Sequence, residues 1–298
     1  MLKKIYRILV AISLVILTLR LINVAVKRGH PLPEPARPNG YEALLAAANL
    51  LHPPPGDVTE FTTSQVQSVA EQNRSALAAV RAALDLPSQV PIKPTKAWDD
   101  NHLDELKSLK KLAVALAVES RADLLQQHTN AAAHCDLDVL RLAQSLGQGG
   151  LLIDGVTSLA IETIGAALLQ GKLDTLEAAT CRDLATALET LDDHREKPEQ
   201  ILRTEHEWSR ARFGLVGMVG DLFMHADLQK RRAEFVKRSH DVHAHAQRLM
   251  VRFAARACEL EHQHPPTTVA DLVPKYLKAA PKNWETGQEI LEIPPPLN

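Results

Sequence analysis

The chain has few of the residues and motifs on which functional assignments usually rest. Its 298 residues include three cysteines, and aromatic residues make up 4% of the total. Such a shortage of aromatics, with abundant Ala and Leu, disfavours strands and suits closely packed helices. Cys135, Cys181 and Cys258 stand far apart and form no Cys-x-x-Cys pair. Two alternatives remain open for them, one disulfide in an exported domain or three buried apolar side chains.

Common catalytic motifs are also missing. The sequence contains no Gly-x-Ser-x-Gly nucleophile elbow and no Gly-x-Gly-x-x-Gly loop. His206-Glu207 begins like a zinc-protease motif, but Arg210 stands where the second His is needed. The stretch 165–173 differs from a P-loop, because five residues separate its glycines and no strand pattern precedes it. These absences remove the usual grounds for an enzyme, and no cofactor is predicted.

The N-terminus is the most informative segment. Lys3, Lys4 and Arg7 precede an apolar run over 8–26, within which Arg20 is the single charged residue. Nineteen residues rising ~1.5 Å each nearly match the ~30 Å hydrocarbon core of a bilayer. This pattern predicts a single transmembrane helix.

An uncleaved signal anchor is favoured over a cleaved signal peptide or a buried soluble helix. A cleavage site needs small residues after a short apolar core, whereas Asn23 lies at the candidate site and Lys27 and Arg28 follow it. Because cations lie on both sides of the run, the positive-inside rule says little about the orientation of the helix in the membrane. Because the run precedes a large domain, we expect a single-pass membrane protein with its domain on the exported side.

Composition divides the rest of the chain. Four prolines in 28–38 predict a semi-rigid linker between the anchor at 1–27 and a helical domain at 39–263. Residues 264–298 are predicted to form a proline-punctuated tail that packs on that domain. Residues 1–38 contain seven Lys or Arg and one Glu, so the remaining chain has a net charge of −8. An acidic domain lacks the basic footprint of a nucleic-acid-binding protein, so no nucleic-acid partner is predicted.

Apolar residues recur at steps of three and four through the domain, which predicts an all-α fold of antiparallel helix pairs, either a bundle or solenoid-like. One helix is predicted to begin near Asn39, and a second is predicted to begin near Thr62 and to run through Leu84. Further helices are predicted to begin at about residues 103, 130, 151, 176 and 199. The apolar stretch 151–170 is interpreted as a core helix, since Asp154 and Glu162 would be costly in a bilayer. Gly214, Gly217 and Gly220 are predicted to lie on one long helix that begins near residue 199.

Histidine, with thirteen residues in all, is the one residue type whose abundance indicates a candidate functional site. His240, Asp241 and His243 form the densest cluster and are the candidate metal ligands, with no catalytic residue assigned. On a helix His240 and His243 share one face and Asp241 lies on another, so a site needs further ligands such as His206, His225 or His262. The adjacent His240-Asp241 is similar to the paired ligands of HD phosphohydrolases. A metal-dependent hydrolase is therefore the alternative function, and solvated or partly buried helix histidines are the other interpretation.

Several stretches resemble known families. The N-terminal anchor, Asn-Gly-Tyr-Glu at 39–42, Gly-Gly-Leu-Leu-Ile-Asp at 149–154 and the Pro-rich tail are similar to an uncharacterised family of bacterial signal-anchored, all-helical envelope proteins. The tail has a His-x-Pro start at 264–266, a Leu-Val-Pro-x-Tyr-Leu centre at 272–277 and a Pro-Lys-Asn-Trp-x-x-Gly close at 281–287. In these motifs it resembles the end of type II secretion pseudopilins, although residues 1–26 lack the pseudopilin Gly-Phe cleavage site. The first resemblance implies a helical domain anchored in the bacterial inner membrane and brings no activity. We therefore expect a membrane-anchored, non-enzymatic envelope protein that presents a helical domain to an unidentified protein partner.

Overall fold

The computed structural model of the chain describes residues 2–28, 32, 34–35, 37–52, 54, 56–217, 225–284 and 286–295, with side chains from Ile12 onward in the first helix. The α-helices are α1 (Leu2–Arg28), α2 (Gly40–Ala48), α3 (Thr63–Gln72), α4 (Arg74–Leu84), α5 (Lys96–Leu125), α6 (Thr129–Gly147), α7 (Leu152–Gln170), α8 (Ala178–Asp193), α9 (Pro198–Phe213) and α10 (His225–His262). Short 3-10 helices lie at Val58–Glu60, Leu173–Thr175 and Val269–Leu272. The described residues contain no β-strand, only an isolated bridge between Lys282 and Glu289. The all-α prediction is confirmed.

Side-chain caps define several helix starts. Asn39 accepts a hydrogen bond from the Tyr41 amide at 3.2 Å and caps α2, as the sequence predicts. Its side chain also donates to the Gln89 carbonyl at 2.8 Å, so one residue joins the start of α2 to the loop after α4. Thr62 and Gln65 form a reciprocal capping box at the start of α3.

The helix predicted from Thr62 through Leu84 is two helices, α3 and α4, so that prediction was wrong at Asn73. Asn73 is buried, and its side chain accepts from the His52 amide at 2.8 Å and donates to the Val69 carbonyl at 3.0 Å. These bonds hold the loop after α2 against the junction between α3 and α4. The three-and-four spacing continues through the break because both short helices bury apolar faces, so the pattern alone does not reveal it.

Helices α6 and α7 form the centre of the domain. They pack extensively on each other, while α5 covers α6 and α10 packs on both α7 and α8. Among residues whose side chains the structure describes, which in α1 begin at Ile12, one helical stretch, Leu152–Thr175, is long and apolar enough to cross a membrane by length and composition. Of its most apolar 18-residue window, 56% is buried. Its buried Glu162 forms an ion pair with Arg195. These contacts make α7 a core helix of the domain.

The tail packs on the α8–α10 side of the domain. Val269, Leu272, Tyr276 and Leu277 are buried in the same apolar cluster as residues of α8 and α10. The Glu189 carboxylate accepts a hydrogen bond from the Lys278 amide at 2.8 Å. The tail therefore completes part of the core.

The long helix expected to include Gly214, Gly217 and Gly220 was a wrong prediction, because α9 ends at Phe213. Gly214 has a φ of +59°, a conformation that L side chains rarely adopt. Residues 215–217 form a further short helical segment, and Gly220 lies outside the described residues. The glycine at 214 thus turns the chain at the end of α9.

Candidate functional site

The candidate metal ligands on α10 have separate surroundings. His243 is buried, and its Nε2 forms a hydrogen bond with Asp192 Oδ1 at the end of α8. The imidazole ring of His243 also packs against Trp284 of the tail, with ring centroids 3.7 Å apart. His240 contacts the same indole edge-on at 6.2 Å, whereas Asp241 is exposed. The structure therefore brings His240 and His243 together around Trp284 and leaves Asp241 on another face.

Asp192 is the centre of a polar network that joins three helices. Besides His243, its carboxylate accepts a hydrogen bond from Gln247 Nε2 at 3.0 Å, and Arg195 lies 3.9 Å away. Burial on its own would raise the pKa of Asp192, but the hydrogen bond and charge of His243, with Gln247 and Arg195, hold that pKa below its usual value. Arg195 also forms a two-point ion pair with Glu162 of α7. The network thus ties α7, α8 and α10 to one another.

This network has the chemistry of a His–Asp pair but not the access that catalysis requires. A general base must come within hydrogen-bond reach of a substrate proton, and His243 is 1% exposed. The cavity beside Asp192, Arg195 and Glu196 has a volume of about 50 Å³. Sites for small-molecule substrates are typically ~300–1,000 Å³, so this cavity has room for water only.

Metal ligation finds no support in the described part of the chain. Among these residues, no group of three or more His, Cys, Asp or Glu side chains is arranged to hold an ion. His262, one of the supporting ligands considered from the sequence, instead stacks on His264 and lies 3.3 Å from Lys275 Nζ. The side chain of His225 lies outside the described residues. All three cysteines are buried and free.

A second His–Asp pair escaped the sequence analysis. His102 of α5 forms a 2.7 Å hydrogen bond through Nε2 with Asp154 Oδ1, and its Nδ1 lies 3.4 Å from Glu105 Oε2. Burial would lower the pKa of His102, but hydrogen bonds to Asp154 and Glu105 and their negative charges raise it overall. The other oxygen of Asp154 accepts from the Leu151 amide at 2.7 Å and caps α7. The pair therefore holds the start of α7 against α5. In the sequence, the one feature that indicated a role for Asp154 was its place at the third position of α7, where an acidic side chain can cap the helix.

The junction between α1 and the domain is small and specific. Asn23 Oδ1 accepts a hydrogen bond from the Leu215 amide at 2.9 Å. Only Asn23 and Val26 of the described α1 side chains are partly covered, while every side chain from Ile12 to Ile22 is exposed. A Cβ added at Gly214 would lie 2.0 Å from Asn23 Oδ1, so the close approach depends on glycine. The domain thus contacts α1 at its last turns and leaves the described apolar side chains from Ile12 to Ile22 exposed.

The chain matches no protein-family model, no curated protein and no solved structure.

Functional inference therefore rests on the molecule's own surfaces. Both buried His–Asp pairs have structural partners. The cavity beside His243–Asp192 has room for water only, whereas His102 borders a shallow open cavity of about 380 Å³ but is itself only 3% exposed. The described apolar side chains of α1 from Ile12 to Ile22 are all exposed, with Val15 58% and Leu21 63% exposed. This exposed helix is the feature that most needs a functional explanation.

Proposed function

We propose that the protein is a single-pass membrane protein of the cell envelope, in which α1 is an uncleaved anchor and the helical domain presents surfaces to a protein partner. The observation that supports this most strongly is the run of exposed apolar side chains from Ile12 to Ile22, interrupted by Ser13, Thr18 and Arg20. Full burial of each large apolar side chain contributes ~1.5–3 kcal/mol, so such a helix is strongly favoured in hydrocarbon over water. The long Arg20 side chain can extend towards the headgroups while its stem stays apolar.

Placement of the domain contact supports the same arrangement. The domain contacts α1 at Asn23 and Val26, the C-terminal end of the 8–26 apolar run, and leaves the preceding described turns uncovered. A bilayer can therefore surround the apolar turns without displacing the domain.

The anchor is tested by alkaline extraction of membranes from cells that express the full chain. We expect the protein to remain in the membrane pellet with an N-terminus ahead of the apolar run. A released chain that begins near residue 26 or 27 would show that the segment is a cleaved signal instead.

The side of the membrane is tested separately. The position of the anchor ahead of a large domain supports export, so a reporter enzyme that is active only outside the cytoplasm should be active when fused after Asn298. A stably expressed but inactive fusion would place the domain in the cytoplasm.

The proposed protein partner is tested at apolar side chains that are exposed on the domain. These are Leu50, Val114, Leu124, Leu125 and Ile164. Photo-crosslinking groups placed singly at Leu125 and Ile164 in the native cell should give discrete adducts at one site or both, whereas the exposed charged position Asp104 should give none. Equal labelling at all three positions, or at none, would argue against a specific partner.

A further inference from the structure

Aromatic side chains are concentrated beside the junction with α1. Trp98 and Trp208 lie with their ring centroids 6.2 Å apart, and Phe213 meets Trp208 edge-on at 5.8 Å. The whole chain contains only three tryptophans and five phenylalanines. Two of the three tryptophans therefore lie in one row that ends where α9 turns towards α1.

Exposed aliphatic residues extend this row into a continuous surface. A shallow open cavity of about 380 Å³ lies against both tryptophans and is bordered by Leu103 of α5 and by Ile153 and Val156 of α7. These aliphatic side chains are 53%, 43% and 39% exposed, and Phe213 is 40% exposed. We refer to Trp98, Leu103, Ile153, Val156, Trp208 and Phe213 together as the aromatic surface. A surface of this kind on a soluble protein marks a site of contact with a lipid or protein.

The acidic groups within this surface already have partners. Asp99 forms a 3.0 Å ion pair with Arg212, whose guanidinium also lies over the Phe213 ring. Glu205 accepts a hydrogen bond from the Leu152 amide at 2.9 Å at the start of α7. Asp99 is paired with a cation and Glu205 is hydrogen-bonded, and both contacts lower the cost of moving the surface out of bulk water.

The position of the surface favours lipid over other occupants. Phe213 ends the aromatic row, Gly214 follows it, and the next amide, that of Leu215, bonds to Asn23 in the last turns of α1. Asn23 lies three residues before the end of the apolar run, about 5 Å along the helix axis, which is the depth of the membrane interface. Tryptophan is enriched at this depth. Trp98 and Trp208 are half-buried, the Trp208 indole N–H donates to the Lys93 carbonyl at 3.2 Å and the Trp98 N–H is buried, so the two rings present apolar edges rather than polar N–H groups. Val216, 73% exposed, lies just beyond the same turn.

We propose that the aromatic surface lies on the bilayer in which α1 is anchored and fixes the orientation of the domain against that membrane. This inference rests on the proposed anchoring of α1. The bound chemistry is the interface between phospholipid headgroups and acyl chains, contacted by indole and aliphatic side chains, with Lys27 and Arg212 at the level of the phosphates.

The arrangement of tryptophans provides a direct test with the full chain reconstituted in phosphatidylcholine vesicles. The W284F variant retains Trp98 and Trp208, whereas the W98F/W208F variant retains only Trp284, which packs on His243 away from this surface. With lipids brominated on the acyl chains near the headgroup, tryptophan fluorescence of W284F should fall at least about twofold relative to unbrominated vesicles, because the indoles lie at the interface. Fluorescence of W98F/W208F should change little.

A charge placed in the surface gives a second, matched comparison. In the W284F background, Ile153→Glu should reduce the quenching, because a carboxylate beside the indoles disfavours insertion. Leu291→Glu adds the same charge at a 59% exposed position of the tail and should leave the quenching unchanged. Circular dichroism of each variant verifies that the helical fold is retained.

The outcomes separate this inference from the anchoring on which it rests. Variants that float with the vesicles but show no quenching of Trp98 and Trp208 would overturn the inference and leave the anchor intact. Indoles shielded from aqueous iodide yet not quenched by brominated lipid would also overturn it, and would assign the surface to a protein or to a second copy of the chain. A wild-type chain that fails to float would overturn the anchoring and the inference together.

Discussion

Asn23 in α1 accepts a hydrogen bond at 2.9 Å from the backbone amide of Leu215, a residue 192 positions later in the chain. The bond forms where α9 ends, at Gly214, and it joins the apolar helix to the helical domain. An apolar helix on a proline-rich linker could have any orientation relative to its domain. This contact instead fixes the end of α1 beside the turn after α9.

Gly214→Ala should loosen the contact between α1 and the domain. A side chain at φ +59° costs about 1–3 kcal/mol, and its Cβ would lie 2.0 Å from Asn23 Oδ1. Spin labels at the exposed positions Leu21 and Arg203 should give one narrow distance distribution in the wild type and a broad one in the variant. Gly287→Ala is the matched control, since Gly287 also has a positive φ but no atom would lie within 4 Å of its Cβ. Equal distributions in all three proteins would show that the contact does not restrain α1.

His243→Ala should destabilise the domain by about 2–4 kcal/mol, because it removes a hydrogen bond to a charged, largely buried Asp192 and opens space beside Trp284. Thermal unfolding followed by circular dichroism measures the loss. His240→Ala is the control, since His240 is half-buried and meets the same indole edge-on, with ring centroids 6.2 Å apart. A divalent ion found in the purified wild type and lost from both variants would contradict the structural role and favour the hydrolase alternative.

The His102–Asp154 pair should make stability depend on pH in a defined direction. Because the pKa of His102 is raised in the folded protein, its contribution is fully present below its unfolded pKa and disappears as the pH rises through the folded pKa. The melting temperature of the wild type should therefore exceed that of His102→Gln by more at pH 6 than at pH 9. Glu105 and Asp154, the carboxylates that face His102, remain in both proteins, so the difference isolates the histidine. A difference that grows with rising pH would contradict the raised pKa.

Leu272→Ala should cost about 2–5 kcal/mol, the usual range for a fully buried leucine, because Leu272 lies in the core between the tail and α10. Denaturant unfolding of a fragment that begins at Asn39 measures the change. We expect that fragment to be soluble and strongly helical, since the described side chains of α1 are covered only in its last turns. Leu291→Ala, in the same tail but 59% exposed, should change stability by less than about 0.5 kcal/mol. Similar effects of the two substitutions would mean that the tail is not docked in solution.

Local features of the sequence determined most of the helices. The apolar run at 8–26, the capping residues Asn39 and Thr62, and the three-and-four spacing each act within a few residues, so they can be recognised without knowledge of the fold. The same information predicts that 264–298 packs as short turns rather than as a domain. It also fixes the charge asymmetry between the first 38 residues and the remainder.

Only the tertiary structure decided where helices break and which side chains form pairs. The helix breaks at Asn73 because its side chain bonds to His52, and the chain turns at Gly214, where Asn23 approaches closely. His243 meets Asp192 across 51 residues and His102 meets Asp154 across 52, so the histidines are paired by the packing of α8 on α10 and of α5 on α7. Trp98 and Trp208 likewise belong to different helices, and only the folded domain brings them together beside α1. Helix formation depends on neighbours within one or two turns, whereas these contacts depend on which helix faces meet when the core is buried.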